Sequence, residues 1–128
     1  MRVLLDTCTF LWILLDASDL SARAREIVVD PGTELLLSAA STWEIAIKHA
    51  LGRLPLPESP ERYVPRQRAR HGIDTLPVTE EATLHLGRLP RLHADPFDRI
   101  LVCQAIVHGL VLLTPDPDIC QYPVRIEW

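Results

Sequence analysis

The stretch RVLLDTCTFLWILL, residues 2–15, changes its period at Asp6. Val3–Leu5 are continuously apolar and too few for a helix, which predicts a short strand buried on both faces. From Thr7 the apolar residues continue at helical spacing. A buried strand passing directly into a helix is the unit of an α/β fold, and Asp6 stands at the handover. The same pattern returns along the chain. ELLLS, residues 34–38, reads as a second buried strand after the turn DPGT, and STWEIAIKHALG, residues 41–52, as the helix beyond it, ended by Gly52. DPFDRILVCQAIVHG, residues 95–109, is the clearest helix, with Asp95 as N-cap, Pro96 in the first helical position and Gly109 as terminator. It leads into the strand LVLLT, residues 110–114.

Between these units lie a helix through ARAREIVV (22–29), a proline-rich stretch with a short basic helix (53–72), a short strand IDTLPV (73–78) and a helix opened by Thr79. An acidic, proline-rich loop follows Thr114, and VRIEW (124–128) reads as a terminal strand. The expectation is a single domain over residues 1–128, an α/β layer fold on a mostly parallel central sheet. Ligands of such sheets bind beyond the carboxyl ends of the strands.

Four acidic residues fall where a strand is expected to pass into a helix or loop: Asp6, Glu44, Asp98 and Asp116. In a parallel sheet those handovers open on one edge, so the carboxylates would converge there. Each also has a structural explanation: Asp6 can cap the next helix, Glu44 has Lys48 one turn on, Asp98 has Arg99 beside it, and Asp116 lies in a turn. Their joint placement is the stronger signal. Oxygen ligands with few basic partners suit Mg²⁺ or Mn²⁺, and such a site favours hydrolysis at phosphorus. Other chemistries lack support. The five histidines are scattered, no phosphate-cradling glycine motif or serine nucleophile elbow occurs, and DTCTF lacks the second Asp of a phosphatase D-x-D-x-T.

The net charge of −4 argues weakly against a nucleic-acid partner, but setting the four candidate ligands aside leaves the two signs balanced. All basic residues but Lys48 are arginines, and they cluster: Arg62, Arg66, Arg68 and Arg70 in one segment, and Arg88, Arg91 and Arg99 with His93 around the third carboxylate. The second cluster is placed to hold a phosphate. Three cysteines without close spacing favour a reducing, cytoplasmic setting, and no targeting or membrane segment is visible.

Taken together, LLDTCTFLW, SAASTWEIAIKHALGRL, HADPFDRILVCQA and LLTPDPDICQYPV resemble, in order and over nearly the whole chain, the PIN-domain ribonucleases, specifically VapC-like toxins of type II toxin–antitoxin systems. The resemblance implies a three-layer α/β/α sandwich, Mg²⁺-dependent endoribonuclease activity with Mn²⁺ as a substitute, a homodimer, and neutralisation by a cognate antitoxin. It places the acidic quartet on Asp6, Glu44, Asp98 and Asp116, with Asp95 as a further contributor, and hydroxyls that orient ligands or water on Thr7 and Thr114. One departure is that prolines flank Asp116, so that Asp118 is a candidate to take its place. Arg91 and Arg99 are candidates to hold the scissile phosphate of RNA. The rival is a PIN-fold module that binds RNA or protein without catalysis; retention of all four acidic positions speaks against it.

Overall fold

The computed structural model describes residues 1–128. Its centre is a five-stranded sheet in the order β3-β2-β1-β4-β5, every neighbouring pair parallel. The strands are β1 (Arg2–Leu5), β2 (Glu34–Ser38), β3 (Ile73–Leu76), β4 (Val111–Leu113) and β5 (Ile126–Glu127). The chain fills the sheet outward from β1 to β3, then returns to the other side of β1 with β4. The switch point therefore lies between β1 and β4, where Val3, Leu4 and Leu5 pair with Val111, Leu112 and Leu113.

Alternation along the strands divides the core in two. Val3, Leu5, Leu35, Leu37, Val111 and Leu113 face one way, against Phe10 and Ile13 of α1 (Thr7–Leu15), Ala24 and Ile27 of α2 (Ala22–Val29), Ile45 of α3 (Ala39–Ala50) and Val64 of α4 (Pro60–Arg70). Leu4, Leu36 and Leu112 face the other way, against Ile100–Cys103 and Ala105 of α6 (Pro96–His108) and Ile119 of α7 (Pro117–Cys120). Between β3 and α6 the chain forms α5 (Glu80–Leu84) and a 3-10 turn at His85–Arg88. Both sheet faces are thus covered by helices, the three-layer arrangement expected. No helix is long and apolar enough to cross a membrane.

The structure differs from the sequence reading in four places. α3 begins at Ala39, immediately after β2, because the buried Ser38 hydroxyl caps it by accepting from the Ala40 N–H at 3.0 Å. Glu44 consequently lies in the second turn of that helix rather than at the handover. The loop after β4 contains α7, since Asp116 and Pro117 supply a cap and a first helical residue in the same way as Asp95 and Pro96. The terminal strand is reduced to Ile126–Glu127. Two of the three cysteines lie in apolar runs of the sequence, where a free thiol is expected to behave as a small buried hydrophobe, yet only Cys103 is buried.

Gly109 closes α6 in the left-handed region at φ 64°, with its N–H bonded to the carbonyls of Ala105 and Ile106. A methyl group there would meet nothing within 4 Å, so the whole penalty of Gly109→Ala is backbone strain. The expected loss is about 1 kcal/mol in denaturant unfolding. An unchanged midpoint would mean that the α6 terminus relaxes freely.

Candidate active site

Asp6 ends β1 and is buried at 5% exposure. Its Oδ1 caps α1 by accepting from the Thr9 N–H at 2.7 Å, and its Oδ2 accepts from the Thr114 hydroxyl, beyond β4, at 2.6 Å. The same hydroxyl accepts from the Asp116 N–H at 3.0 Å, so one threonine ties the first carboxylate to the backbone of the last. Burial holds the Asp6 carboxyl above its ordinary range and the nearby Asp116 charge adds to this, against the hydrogen bonds from Thr114 and Thr9.

Glu44 reaches the same edge from α3 and is also buried. Its Oε1 accepts from the Thr7 hydroxyl at 2.6 Å, and its Oε2 is paired with Lys48, one helical turn away. The pairing raises the Lys48 ammonium above its usual value, chiefly through the hydrogen bond to Glu44, with a smaller contribution from Asp95. Lys48 is therefore a cation committed to one carboxylate and felt by another.

From α6 come Asp95 and Asp98. Asp95 is the N-cap, its Oδ1 accepting from the Phe97 and Asp98 amides at 2.9 and 3.2 Å. Asp98 is pushed up to about 6, first by burial and then by the Asp95 and Asp116 charges, while a hydrogen bond from His93 works the other way. Asp116 caps α7 through Oδ1, which accepts from the Asp118 N–H at 2.9 Å; Asp118 itself is exposed. Cys8 sits among these groups. The residue is exposed overall, yet partial burial of its thiol raises its pKa, and Asp6, Glu44 and Asp98 all add to that.

Carboxylates from β1, α3, α6 and the β4–α7 junction thus share one electrostatic field at the carboxyl end of the sheet. As the side chains stand, no three His, Cys, Asp or Glu groups are close enough to hold a metal ion. What they supply is an oxygen-only set of negative charges, buried at Asp6 and Glu44 and half-buried at Asp95, Asp98 and Asp116, of which the pair with Lys48 neutralises one. That donor chemistry fits a hard divalent cation.

The two arginines differ. Arg99 turns away from Asp98: its Nη1 donates to the Pro90 carbonyl at 2.9 Å and to the Tyr122 hydroxyl at 3.1 Å. Arg91 is exposed and lines an open cleft of about 760 Å³ with His93, Pro96 and Arg99. Tyr122, buried at 3% exposure, was not singled out by the sequence. The one hint was its place a few residues past Asp116, in the loop that returns the chain to the sheet.

Comparison with known proteins bears on the family and the fold. Over 69 residues the chain is 46% identical to Ribonuclease VapC16 of Mycobacterium tuberculosis (strain ATCC 25618 / H37Rv), a match covering 54% of this chain and 49% of the relative. The chain so aligns with about half the length of that curated relative. Among solved structures it superposes on VapBC2 from Rickettsia felis bound to a DNA fragment from their promoter, with a TM-score of 0.72 and 13% identity over 99% of this chain and 98% of that one. DNA-bound VapBC from Salmonella typhimurium gives a TM-score of 0.68 at 18% identity, covering 99% and 97%. At those identities the likeness is one of fold. The model of the PIN domain matches residues 3–124, from β1 to beyond α7, and the chain belongs to the PIN domain family.

Proposed function

We propose that this protein is a metal-dependent endoribonuclease toxin of the VapC type, acting on RNA and neutralised by a cognate antitoxin. The observation that carries the reading is geometric: the Thr114 hydroxyl ties Asp6, just past β1, to the backbone of Asp116, just past β4, and Asp98 approaches the same end of the sheet from α6. In keeping with this, Asp6 and Asp98 are both held above their ordinary range, first by burial and further by the neighbouring Asp116 charge. A fold tolerates such uncompensated charge when a ligand neutralises it.

Asp6, Glu44, Asp98 and Asp116, with Asp95, would hold Mg²⁺ or Mn²⁺. Bound there, the ion would activate water and stabilise charge on a phosphodiester in displacement. The residues themselves do the rest. Thr114 and the Thr9 amide fix Asp6, each of whose oxygens retains a second lone pair for a ligand. Thr7 orients Glu44. Asp98 is held by His93 Nε2 at its Oδ2, which leaves Oδ1 for a ligand or water. Arg91, exposed in the adjoining cleft, would hold a substrate phosphate, and Arg99 has donors left over for the same purpose.

Relatives named VapC and VapBC support the toxin and antitoxin parts of the reading. Leu15, Val29, Trp43 and Leu84 stay exposed, apolar surface that an antitoxin or a second copy in a homodimer would cover. A cytoplasmic site of action is part of the same reading, in keeping with three cysteines that lack close spacing. One feature favours the rival, a non-catalytic PIN-fold module: Lys48 already occupies an oxygen of Glu44. The two readings separate when purified protein is incubated with structured RNAs plus Mg²⁺ or Mn²⁺ and the cut sites are mapped. Discrete cuts abolished by chelation and by Asp98→Asn are expected. Binding without cleavage would establish the rival, and cleavage indifferent to chelation would sink the mechanism.

A further inference from the structure

Tyr122, Arg99, His93 and Asp98 form a chain of hydrogen bonds whose direction can be worked out. The Tyr122 oxygen lies 3.3 Å from the His93 backbone N–H, 3.1 Å from Arg99 Nη1 and 2.7 Å from His93 Nδ1. The amide and the guanidinium can only donate, and a phenol oxygen has two lone pairs and one proton. With both lone pairs taken, the third contact must use the phenol's own proton, so Tyr122 donates to His93 Nδ1. That nitrogen is then an acceptor, and the proton of the neutral ring sits on Nε2. Nε2 lies 3.1 Å from Asp98 Oδ2 and donates to it. The rings of His93 and Tyr122 also pack at 5.4 Å between centroids, and Arg99 lies 6.0 Å from the Tyr122 centroid, so the partners are held in place by packing as well.

We infer that His93 is a positioning residue for Asp98, locked as the Nε2–H tautomer by Tyr122, with Arg99 and the His93 amide aiming the Tyr122 proton. The device rests on the proposed nuclease reading for its purpose, since a fixed Oδ2 leaves Asp98 Oδ1 as the oxygen to meet a cation or water. It gives Arg99 a role other than phosphate contact. It also joins the segment after α7 to the start of α6, so that the residues carrying Asp116 and those carrying Asp98 are braced against each other. A carboxylate ligand oriented by a fixed donor is a recurrent arrangement, and loss of such a donor typically lowers metal affinity or activity by roughly tenfold or more.

The tautomer is read directly from imidazole ¹⁵N shifts in the full chain without metal, with His93 assigned by its loss in His93→Gln. A neutral Nε2–H pattern is expected, becoming mixed in Tyr122→Phe. An Nδ1–H pattern in the unaltered protein would overturn the inference whether or not the protein cleaves RNA. The second arm measures Mn²⁺ affinity by calorimetry and the kcat and KM of RNA cleavage for two substitutions. Gln places an amide donor near the position of Nε2, whereas the shorter Asn does not reach it. His93→Gln is expected to stay within about threefold of the unaltered protein, and His93→Asn to lose roughly tenfold in Mn²⁺ affinity and in kcat with little change in KM. Equal loss in both, or in neither, would contradict positioning through Nε2–H. Absence of Mn²⁺ binding and cleavage in the unaltered protein would instead remove the nuclease reading, leaving the tautomer to be decided by the spectrum.

Discussion

Asp6→Asn is expected to lower RNA cleavage by about 10²–10³-fold without unfolding the protein. The substitution is isosteric, and its amide oxygen still accepts from the Thr9 N–H, so the cap of α1 survives. What disappears is a buried charge that both desolvation and Asp116 oppose, at the cost of the bond that Oδ2 accepts from the Thr114 hydroxyl, which must turn to accept from the new amide. In the absence of metal the thermal midpoint is therefore expected to hold or rise, the usual relation between a strained site and the stability of its fold. Rate assays beside thermal unfolding check both halves. A variant that keeps its midpoint and its rate would remove Asp6 from the chemistry.

The contribution of Asp98 to the stability of the metal-free protein is expected to rise as pH is lowered from about 7.5 to about 5, by on the order of 1 kcal/mol, against an opposing contribution from His71, which burial and Arg70 hold below its ordinary value. Asp98 ionises at about 6 in the fold against an ordinary 3.8, so the folded state binds the proton more tightly than the unfolded chain. The ionised form is the disfavoured one. Its penalty is complete above about 6 and is relieved progressively as pH falls toward 3.8. The groups that face it are His93, which opposes the shift, and Asp95 and Asp116, which promote it; Asp6 is raised as well and adds in the same direction. Denaturant titrations in chelator across this range measure the contribution as the difference in slope between the unaltered protein and Asp98→Asn, which saturating Mg²⁺ should suppress or reverse. An equal slope in the two proteins over the same range would contradict the assigned environment of Asp98.

The strands were legible because a buried parallel strand is written as an apolar run, and VLL, ELLLS and VLL leave little choice. The helix caps were legible where one residue type does the work: Asp6, Thr79 and Asp95 each accept from the amides they were expected to cap. Less was readable where the decision is tertiary. Glu44 reaches the sheet edge from inside α3 because that helix starts at Ala39, which depends on a serine that belongs to strand and helix at once. The segment after Asp116 looked like loop because a four-residue helix offers no period to detect. Arg99 stands next to Asp98 in sequence, yet adjacent residues of a helix do not face each other, and its guanidinium is drawn to Pro90 and Tyr122. The contact of Tyr122 with His93 joins residues 29 apart and leaves no trace in either neighbourhood.

The central claim is that carboxylates gathered at the carboxyl ends of β1 and β4 hold a divalent cation. Anomalous scattering from crystals grown with Mn²⁺ locates such an ion without reference to activity. The expected map has its strongest peak between Asp6, Asp98 and Asp116, within direct or water-bridged reach of Glu44 or Asp95. A well-ordered site with no peak there, and Glu44 still paired with Lys48, would contradict it.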